Sequence, residues 1–383
     1  MDDKDLVILA GGKGTRIRKH LKNLPKPLAK FSDRYFLDYL LFLVSKFSFT
    51  KIFIIAGYKG YIVKKKYHNR LINNSKISVI IEKKLKGTGG ALSELKTQIK
   101  NDFFLINGDS IFDIDLSKIL IKRKEKKIGS IALLKNINYK HNKKLSSLTL
   151  DNKKNIIFSK KGKRLMNGGI YFFKKNFLKI IRKTNSSLEN DILPQLILEK
   201  KLIGKVFNSF FLDIGTPKNF LFAKKFLKKQ FLKPAIFLDR DGVLNYDRGY
   251  TYKIKDLKVI KKTVNFLKKK KNYYFFIVTN QAGIAKKKYN IKSFMLFQKK
   301  LHEELSKKKV FINDFEFCPH HPEALSKKFL KNCNCRKPKN GMIEKIINRW
   351  PIIRNKSIFI GDKNTDKLAA ARSKIRYLDI KNI

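Results

Sequence analysis

Aspartates placed directly after short apolar runs are the residues of this chain whose types and spacing could do chemistry. Asp213 ends one such run and precedes a turn-forming Gly-Thr-Pro triplet. Asp239 and Asp241 follow a second run, residues 235–238. Side chains two apart on leaving a strand start on the same face, which suits a nucleophile and an acid acting on one phosphoryl group. The stretch from Asp213 to Asn245 therefore predicts the end of one active site and the beginning of another.

A second feature suited to phosphate chemistry lies near the amino terminus. The apolar run 6–10 predicts a strand of a parallel sheet, and a Gly-rich turn follows it, made of Gly11, Gly12, Lys13, Gly14, Thr15 and Arg16. Such a turn lets backbone N–H groups approach a polyphosphate closely, and its basic side chains add charge-assisted contacts. Pro25 and Pro27 then hold a short extended segment rigid and present Lys26 in a fixed direction.

The Gly-rich turn and the Pro-Lys-Pro segment resemble the LAGGxGTR and PKP motifs of the sugar-phosphate nucleotidyltransferases. Further motifs similar to that family's follow in the same order along the amino-terminal half. The resemblance implies that Asp109 and Asp213 bind Mg²⁺. It also implies that Arg16 steadies the pyrophosphate and Lys26 the reacting phosphates. The reaction joins two polyanions, a sugar 1-phosphate and a nucleoside triphosphate, so positioning and cations supply most of the catalysis.

Substrate contacts are also expected from this resemblance. They fall on Gly11, Gly12, Gly14, Thr15, Glu82, Gly87, Asn107, Lys161, Asn167, Gly168 and Glu189. Glu82 and Gly87 resemble the family's nucleotide-base loop, and Asn167 begins the segment that resembles its sugar-contacting strand. The chain departs from the family before that strand, because Phe-Ser-Lys-Lys at 158–161 replaces a frequent Glu-Lys pair. Lys161 is therefore the residue predicted to bind the sugar phosphate.

The carboxyl-terminal half shows three apolar runs that each end in polar residues. The first ends at Asp239 and Asp241. The second, 274–278, ends in Thr279, Asn280 and Gln281, and the third, 357–360, ends in Gly361, Asp362 and Lys363 with Asp366 beyond. Helical segments separate these runs. The pattern predicts an open α/β sheet with its site at the carboxyl edge of the strands.

These motifs are similar to those of the haloacid dehalogenase superfamily of phosphatases. The resemblance implies that Asp239 accepts the phosphoryl group, and that Asp241 protonates the leaving oxygen and later activates water. Thr279 and Lys337 would stabilise the transferring group, and Mg²⁺ would bind Asp239, Asp362 and the Asp241 carbonyl. Substrate-binding residues are expected at Asp247, Arg248, Gly249, Tyr250, Asn280, Gln281, Arg336 and Lys363.

The three cysteines of the chain lie close together in sequence. Cys318 and His320 form one pair and Cys333 and Cys335 a second, which together supply a closed tetrahedral set for structural Zn²⁺. His321 is a competing ligand, and free buried thiols are the alternative interpretation. The loop and the following Arg-Lys-Pro resemble the D-glycero-D-manno-heptose 1,7-bisphosphate 7-phosphatases. Histidinol-phosphate phosphatases share much of the pattern and are the second candidate.

The formal net charge of +58 invites a nucleic-acid-binding interpretation. Lysine dominates over arginine and is scattered along the chain together with Ile, Asn, Phe and Tyr, a composition that A/T-rich codons produce without selection for binding. We therefore expect no specific nucleic-acid partner, although such a field attracts phosphorylated substrates. The start lacks a basic-then-apolar signal region, and no run approaches the roughly 18 apolar residues of a membrane span. These features predict a cytoplasmic enzyme without a membrane partner.

The sequence thus predicts two α/β domains. Residues 1–228 form a Rossmann-like, GT-A-like nucleotidyltransferase domain, and residues 234–383 a phosphatase domain with a Rossmannoid sheet and a zinc loop. Together they would remove the 7-phosphate of heptose 1,7-bisphosphate and transfer a nucleotidyl group, GMP from GTP by resemblance to the guanylyltransferase branch, to heptose 1-phosphate. The alternatives are a histidinol-phosphate-type phosphatase fused to another transferase, or a lysine-rich nucleic-acid-binding protein on a degenerate scaffold.

Overall fold

The computed structural model describes residues 3–73, 75–122, 125–135, 148–159, 165–181 and 185–383. The chain divides into two compact units, one made of Met1–Leu43, Phe49–Leu71 and Ser75–Leu227, the other of Val44–Ser48, Ile72–Asn74 and Lys228–Ile383. None of the helices in the described ranges combines the length and apolar character that crossing a bilayer requires.

The amino-terminal part of the chain, residues 1–231, contains the first unit and alternates strands and short helices. Its strands are β1 Asp5–Ala10, β2 Lys30–Phe31, β3 Arg34–Tyr35, β4 Lys51–Ala56, β5 Leu71–Ile72, β6 Ser75–Ile81, β7 Phe103–Asn107, β8 Ser110–Phe112, β9 Gly129–Lys135, β10 Leu148–Leu150, β11 Ile156–Phe158, β12 Leu165–Phe173, β13 Leu202–Phe207 and β14 Phe211–Asp213. Its helices are α1 Phe36–Val44, α2 Gly60–Tyr67, α3 Gly87–Ala91, α4 Phe177–Ile180, α5 Leu193–Leu198 and α6 Pro217–Phe231.

Most of these strands form one mixed sheet in the order β11-β10-β12-β7-β1-β4-β6-β5, to which β9 adds through β12 and β13 through β9. Strand β1 is parallel to both neighbours, β4 and β7, as the apolar run 6–10 predicts. Because β1 and β7 are parallel and in register from Leu6 with Phe104 to Leu9 with Asn107, their carboxyl ends lie at one edge of the sheet. The Gly-rich turn and the turn containing Asp109 therefore leave the sheet side by side.

Apolar side chains on both faces of the central strands build the first core. In β7, Phe103, Phe104, Leu105 and Ile106 are all buried, which is typical of a strand covered on both faces. Burial of each such side chain contributes about 1.5–3 kcal/mol, so the sheet edge that carries the polar turns rests on a rigid support.

The second unit is an open α/β sheet. Its strands are β15 Ala235–Leu238, β16 Tyr274–Asn280, β17 Asp314–Cys318, β18 Ile358–Gly361 and β19 Arg376–Asp379, and its helices are α7 Lys261–Lys268, α8 Ala282–Ala285, α9 Ile291–Lys307, α10 Gly341–Arg349 and α11 Asn364–Arg372. The strand order is β17-β16-β15-β18-β19, with every pair parallel. The three strands predicted from the apolar runs are present and adjacent.

Helical periodicity explains how α9 covers this sheet. Its buried residues Phe294, Phe297, Leu301 and Leu305 recur three or four positions apart. All of them except Phe297 join the core cluster that contains Ile236, Leu238 and Ile277. Polar side chains occupy much of its other face. The mixed α/β architecture with two domains, predicted from the sequence, is confirmed.

Candidate active sites

Two carboxylates meet at the carboxyl edge of the first sheet. Asp109 lies two residues beyond the end of β7, in the turn to β8, rather than on the strand itself. Strand β14 pairs antiparallel with β8 and places Asp213 opposite Ser110, so Asp213 lies beside Asp109. Burial raises the pKa of Asp213, and the negative charge of Asp109 raises it further. A pair of carboxylates that repel each other in this way is a set of hard oxygen donors suited to a divalent cation.

The Lys26 ammonium group offsets part of the negative charge of this pair. Its Nζ lies 2.5 Å from Asp109 Oδ2 and 4.0 Å from Asp213 Oδ1. The side chain is buried, and Lys26 begins a short 3-10 helix, Lys26–Leu28, directly after the extended Pro25. Gly14 packs against the Lys26 stem with a positive φ of 65°, a conformation that costs a side-chain-bearing residue energy. The structure thus presents Lys26 in a fixed direction, as its flanking prolines predict.

Two clefts open on either side of this cluster. The first, of about 340 Å³, is lined by Leu9, Ala10, Gly11, Gly12, Lys13, Lys26, Pro27, Ile55, Glu82, Leu85, Gly87, Thr88, Ala91, Asn107, Gly108, Asp109 and Glu189. The second, of about 420 Å³, is lined by Arg16, Lys26, Asn107, Asp109, Ser110, Met166, Asn167, Gly168, Gly169, Tyr171, Glu189, Asn190, Phe211, Asp213, Thr216 and Asn219. They share Lys26, Asn107, Asp109 and Glu189. The arrangement can hold two ligands whose reactive ends meet at Lys26 and Asp109.

The first cleft contains the residues predicted for the nucleotide. Glu82 faces Gly11 so closely that a methyl group on Gly11 would lie 2.6 Å from Glu82 Oε2. Burial raises the pKa of Glu82. Gly87 has a positive φ of 74° and packs on the Ser186 carbonyl, which leaves no room for a side chain. Apolar Leu9, Ile55 and Leu85 complete walls of the kind that hold a flat base.

A hydroxyl absent from the predicted site residues connects the two clefts. Thr88 Oγ1 donates to Glu189 Oε2 at 2.7 Å and accepts from the Leu188 N–H at 2.8 Å. The acidic segment 189–194, which resembles an acidic helix of the nucleotidyltransferases, lies in a π-helical turn, Leu188–Ile192, and in the start of α5. Contact between residues a hundred positions apart leaves no local signal in the sequence, so the sequence does not predict this role of Thr88.

The second cleft contains the predicted sugar-side residues. Asn167 donates to the Tyr171 hydroxyl at 2.9 Å and accepts from the Gly169 N–H at 3.0 Å, across an irregularity in the β9–β12 pairing. Arg16 reaches the same cleft, and with Thr15 it also lines a neighbouring basic depression containing Arg18, Lys19 and Lys22. Lys161 lies outside the described residues, so its predicted role stays a prediction.

In the second unit a buried lysine joins two aspartates at the carboxyl edge of the sheet. Lys337 Nζ lies 2.9 Å from Asp239 Oδ1 and 2.6 Å from Asp366 Oδ1, and it donates to the Val278 carbonyl at 2.9 Å. Burial raises the pKa of Asp239 to about 6, against the opposing effect of Lys337. Burial lowers the pKa of Lys337, but Asp239 and Asp366 outweigh it and the pKa is raised. Lys337 is therefore held as an ammonium ion beside the predicted nucleophile.

Three carboxylates converge where a cation was predicted. Asp239, Asp362 and Asp366 each place one oxygen within 4.8 Å of the others. Gly242, with a positive φ of 85°, packs directly on the Asp362 carboxylate, where a side chain would collide with it. Three carboxylate oxygens are suitable ligands for a hard cation such as Mg²⁺. Asp366 is absent from the predicted ligand set. Its position just beyond the third strand is the feature of the sequence that could have indicated it.

The Asp241 carboxylate points into a separate hydrogen-bond network. It accepts from Arg240 through two N–H groups, from Asn245 and from Gln281. Although burial raises the pKa of Asp241, these donors lower it overall, with Arg240 the largest among them. Gln281 also donates to Thr279 Oγ1 at 2.9 Å and accepts from the Tyr289 hydroxyl at 2.6 Å.

The predicted substrate-binding residues of this half lie in two places. Asn280 exchanges two hydrogen bonds of 3.0 Å with the Lys337 backbone, which fixes the loop that carries Lys337. In the exposed segment 247–250, Asp247 Oδ1 accepts from the Gly249 N–H, and Asp247 Oδ2 lies 4.0 Å from Lys363 Nζ. The remaining members of that segment, Arg248 and Tyr250, are exposed to solvent.

The cysteine and histidine pairs come together as predicted. The Sγ atom of Cys335 lies 3.1 Å from the Sγ atoms of Cys318 and Cys333, and His320 Nδ1 lies 3.3 Å from Cys335 Sγ. His320 belongs to this cluster within the described residues, and His321 does not. Three thiols and one imidazole within 4.8 Å fit a tetrahedral zinc ion. Arg336 directly follows the cluster and donates to the His320 carbonyl at 3.3 Å.

The fold and these sites define a two-domain α/β enzyme that acts on phosphate groups. Residues 6–230 match the sequence profile of the Nucleotidyl transferase family, and the chain belongs to that family. Residues 240–381 match the profile described as Polynucleotide kinase 3 phosphatase. Both resemblances drawn from the motifs, and enzymatic activity of both kinds, are thereby confirmed.

Individual relatives match each half separately. A D-glycero-alpha-D-manno-heptose 1-phosphate guanylyltransferase of Campylobacter jejuni is 31% identical over 220 residues, 56% of this chain and 96% of that protein. A D-glycero-alpha-D-manno-heptose-1,7-bisphosphate 7-phosphatase of Photorhabdus laumondii is 41% identical over 141 residues, 36% of this chain and 77% of that protein. The crystal structure of HddC from Yersinia pseudotuberculosis is 28% identical, with a TM-score of 0.47, and covers 58% of this chain and 98% of its own.

Proposed function

We propose that the protein is a bifunctional enzyme of heptose activation. It removes the 7-phosphate of D-glycero-α-D-manno-heptose 1,7-bisphosphate and then transfers GMP from GTP to the resulting heptose 1-phosphate, with release of pyrophosphate. The observation that carries this proposal is the pairing of relatives on one chain, because the product of the phosphatase relative is the substrate of the guanylyltransferase relative. Residues 1–228 would form the transferase domain and residues 234–383 the phosphatase domain.

In the phosphatase domain, Asp239 attacks the 7-phosphate and its oxygen forms a bond to phosphorus as the sugar oxygen departs. Asp241 gives a proton to that oxygen and later takes one from the water that releases phosphate. Lys337 and Thr279 stabilise the charge that develops on the phosphoryl oxygens. Mg²⁺ held by Asp239, Asp362, Asp366 and the Asp241 carbonyl would supply further charge neutralisation.

In the transferase domain, the two clefts bring the reacting groups together at Lys26 and Asp109. Arg16 and the backbone of the Gly-rich turn hold the departing pyrophosphate, and Lys26 steadies the reacting phosphates. Asn167 and Glu189 contact the sugar. Mg²⁺ held by Asp109 and Asp213 would neutralise the triphosphate.

The carboxylate of Glu82 supports GTP as the nucleotide. Guanine presents two adjacent donors, the N1–H and the N2 amino group, and one carboxylate accepts from both. The corresponding edges of adenine, cytosine and uracil each include an acceptor, which a carboxylate repels. The half-buried position of Glu82 in the nucleotide cleft makes this repulsion costly for the wrong bases.

Zinc in the cysteine and histidine cluster would be structural. The four ligands close a tetrahedral set, and the loop they fix leads directly into Arg336 and Lys337. Free thiols persist in a reducing compartment, so the cluster and the use of GTP both support a cytoplasmic location.

The direct test supplies purified protein and Mg²⁺ with heptose 1,7-bisphosphate in either anomeric form, and with each of the four nucleoside triphosphates. We expect orthophosphate release from the α anomer followed by pyrophosphate release with GTP, and a GDP-heptose detected by mass spectrometry. Histidinol phosphate serves as the competing phosphatase substrate. Faster hydrolysis of histidinol phosphate than of the heptose bisphosphate would favour the alternative fusion and overturn the proposal.

A further inference from the structure

An arginine lies buried between the two aspartates that do the proposed phosphatase chemistry. Arg240 is 0% exposed, and among the described residues its Nη1 has no hydrogen-bond partner. Burying a guanidinium ion is costly unless the geometry repays the lost hydration. The groups that bind the Arg240 side chain must therefore compensate for its burial.

The guanidinium group forms a bidentate ion pair with the Asp241 carboxylate. Arg240 Nε donates to Asp241 Oδ1 at 2.9 Å and Nη2 donates to Oδ2 at 2.7 Å. Nη2 also donates to the Thr251 carbonyl at 2.8 Å. The planar group lies 4.8 Å from the ring centre of Phe297 and 5.4 Å from that of Phe294, which restricts its movement. Arg240 is thus fixed by its surroundings and fixes Asp241 in turn.

Two neutral amides complete the environment of this carboxylate. Asn245 Nδ2 donates to Oδ1 and Gln281 Nε2 to Oδ2, each at 2.9 Å. The pair with Arg240 joins two opposite charges through two parallel hydrogen bonds, whereas each amide contributes a single bond and no charge. A substrate oxygen or water that contacts Asp241 therefore displaces an amide, while the bidentate pair with Arg240 persists.

We propose that Arg240 is a positioning residue that orients the Asp241 carboxyl group for proton delivery to the leaving oxygen, an inference that rests on the proposed phosphatase function. The phosphate monoester binds as its monoanion and passes its proton to the Asp241 carboxylate. An Asp239 oxygen then bonds to phosphorus, the bond from phosphorus to the leaving oxygen breaks, and that oxygen takes the proton from Asp241. Correct orientation of Asp241 matters for this step only when the leaving oxygen needs a proton. Loss of Arg240 should therefore be selective for poor leaving groups.

The test compares 4-nitrobenzyl phosphate with 4-nitrophenyl phosphate. The two differ by one methylene group, but the benzyl alkoxide needs a proton to leave and 4-nitrophenolate does not. The measured quantity is kcat/KM, which covers the steps only through departure of the leaving group. For R240M we expect a loss of about 100-fold on the benzyl ester, within the usual range for general acid catalysis, and less than about threefold on the phenyl ester.

R240K separates position from charge. Lysine keeps the positive charge but cannot form the bidentate pair, so we expect the same selective loss. Equal losses of kcat/KM on both esters would show that Arg240 has only a structural role. Wild-type selectivity in R240K would show that the positive charge matters and the orientation of Asp241 does not. Either result overturns the inference. If neither variant folds, F297L removes one of the rings that pack on the guanidinium group. The loss of kcat/KM on the benzyl ester should then still exceed the loss on the phenyl ester. Equal losses on the two esters in F297L would also overturn the inference. A wild-type protein that hydrolyses neither ester would instead refute the phosphatase assignment.

Discussion

Replacing Lys337 by methionine tests the electrostatic design of the phosphatase site. The Lys337 side chain is 2% exposed and its ammonium group pairs with Asp239 and Asp366, whose side chains are 8% and 0% exposed. Methionine keeps the apolar stem and removes the charge, so two buried carboxylates lose their common cation. Breaking a buried pair by removing one partner costs about 3–5 kcal/mol. We expect K337M to lose that much unfolding free energy in Mg²⁺-free buffer at pH 8.

The loss should depend on pH in a defined direction. Burial already raises the pKa of Asp239 to about 6 with Lys337 present, and removal of Lys337 raises it further. A carboxyl group with a raised folded-state pKa contributes stability at low pH that is lost as the pH rises through that pKa. The deficit of K337M relative to wild type should therefore shrink between pH 8 and pH 5.

Trp350 is the one tryptophan of the chain and supplies the assay. It is buried against the rings of Tyr274 and Phe276, so its fluorescence reports urea unfolding of the phosphatase domain. K345M is the matched control, because Lys345 is 62% exposed and forms a 3.7 Å pair with Glu316 that contributes little. A deficit below about 1 kcal/mol for K337M, or one that grows on acidification, would show that Lys337 does not stabilise the two buried carboxylates in this way.

Three further predictions address other parts of the molecule. C333S should lose the zinc of the cluster, about one ion per chain by elemental analysis, and lower phosphatase activity while transferase activity is retained. E82Q should lower kcat/KM for GTP about tenfold, the equivalent of about one charge-assisted hydrogen bond, without lowering that for ATP; equal effects on both would contradict guanine recognition by Glu82. Burial lowers the pKa of His302 to about 3, so the unfolded chain binds an extra proton below about pH 6.5 and stability falls with acidification by about 1.4 kcal/mol per unit. Urea unfolding of H302N should lack this slope, whereas the exposed-site control H20N should keep it.

The positions of the main site residues followed from sequence because they are fixed by short-range rules. Apolar runs predict the strands, and parallel strands deliver their following turns to one edge, as β1 with β7 and β15 with β16 show. The grouping of the three cysteines with His320 likewise followed from close spacing within two short pairs.

Features that depend on long-range packing could not be predicted. The hydrogen bond from Thr88 to Glu189 joins segments a hundred residues apart, and a π-helical start to the acidic segment has no distinct periodicity. Arg240 is the clearest case. A charged residue between two aspartates is typical of solvent exposure, and its burial depends on aromatic rings supplied by α9.

A pair of variants tests whether two independent sites act in sequence on one chain. With heptose 1,7-bisphosphate, GTP and Mg²⁺, D239N should leave the bisphosphate intact yet convert added heptose 1-phosphate, because the nucleophile is lost and the transferase is whole. D109N should release orthophosphate and accumulate heptose 1-phosphate, because the transferase has lost a cation ligand. An equimolar mixture should restore GDP-heptose formation. Failure of folded D239N to convert supplied heptose 1-phosphate would contradict the account, because it would make the two sites one.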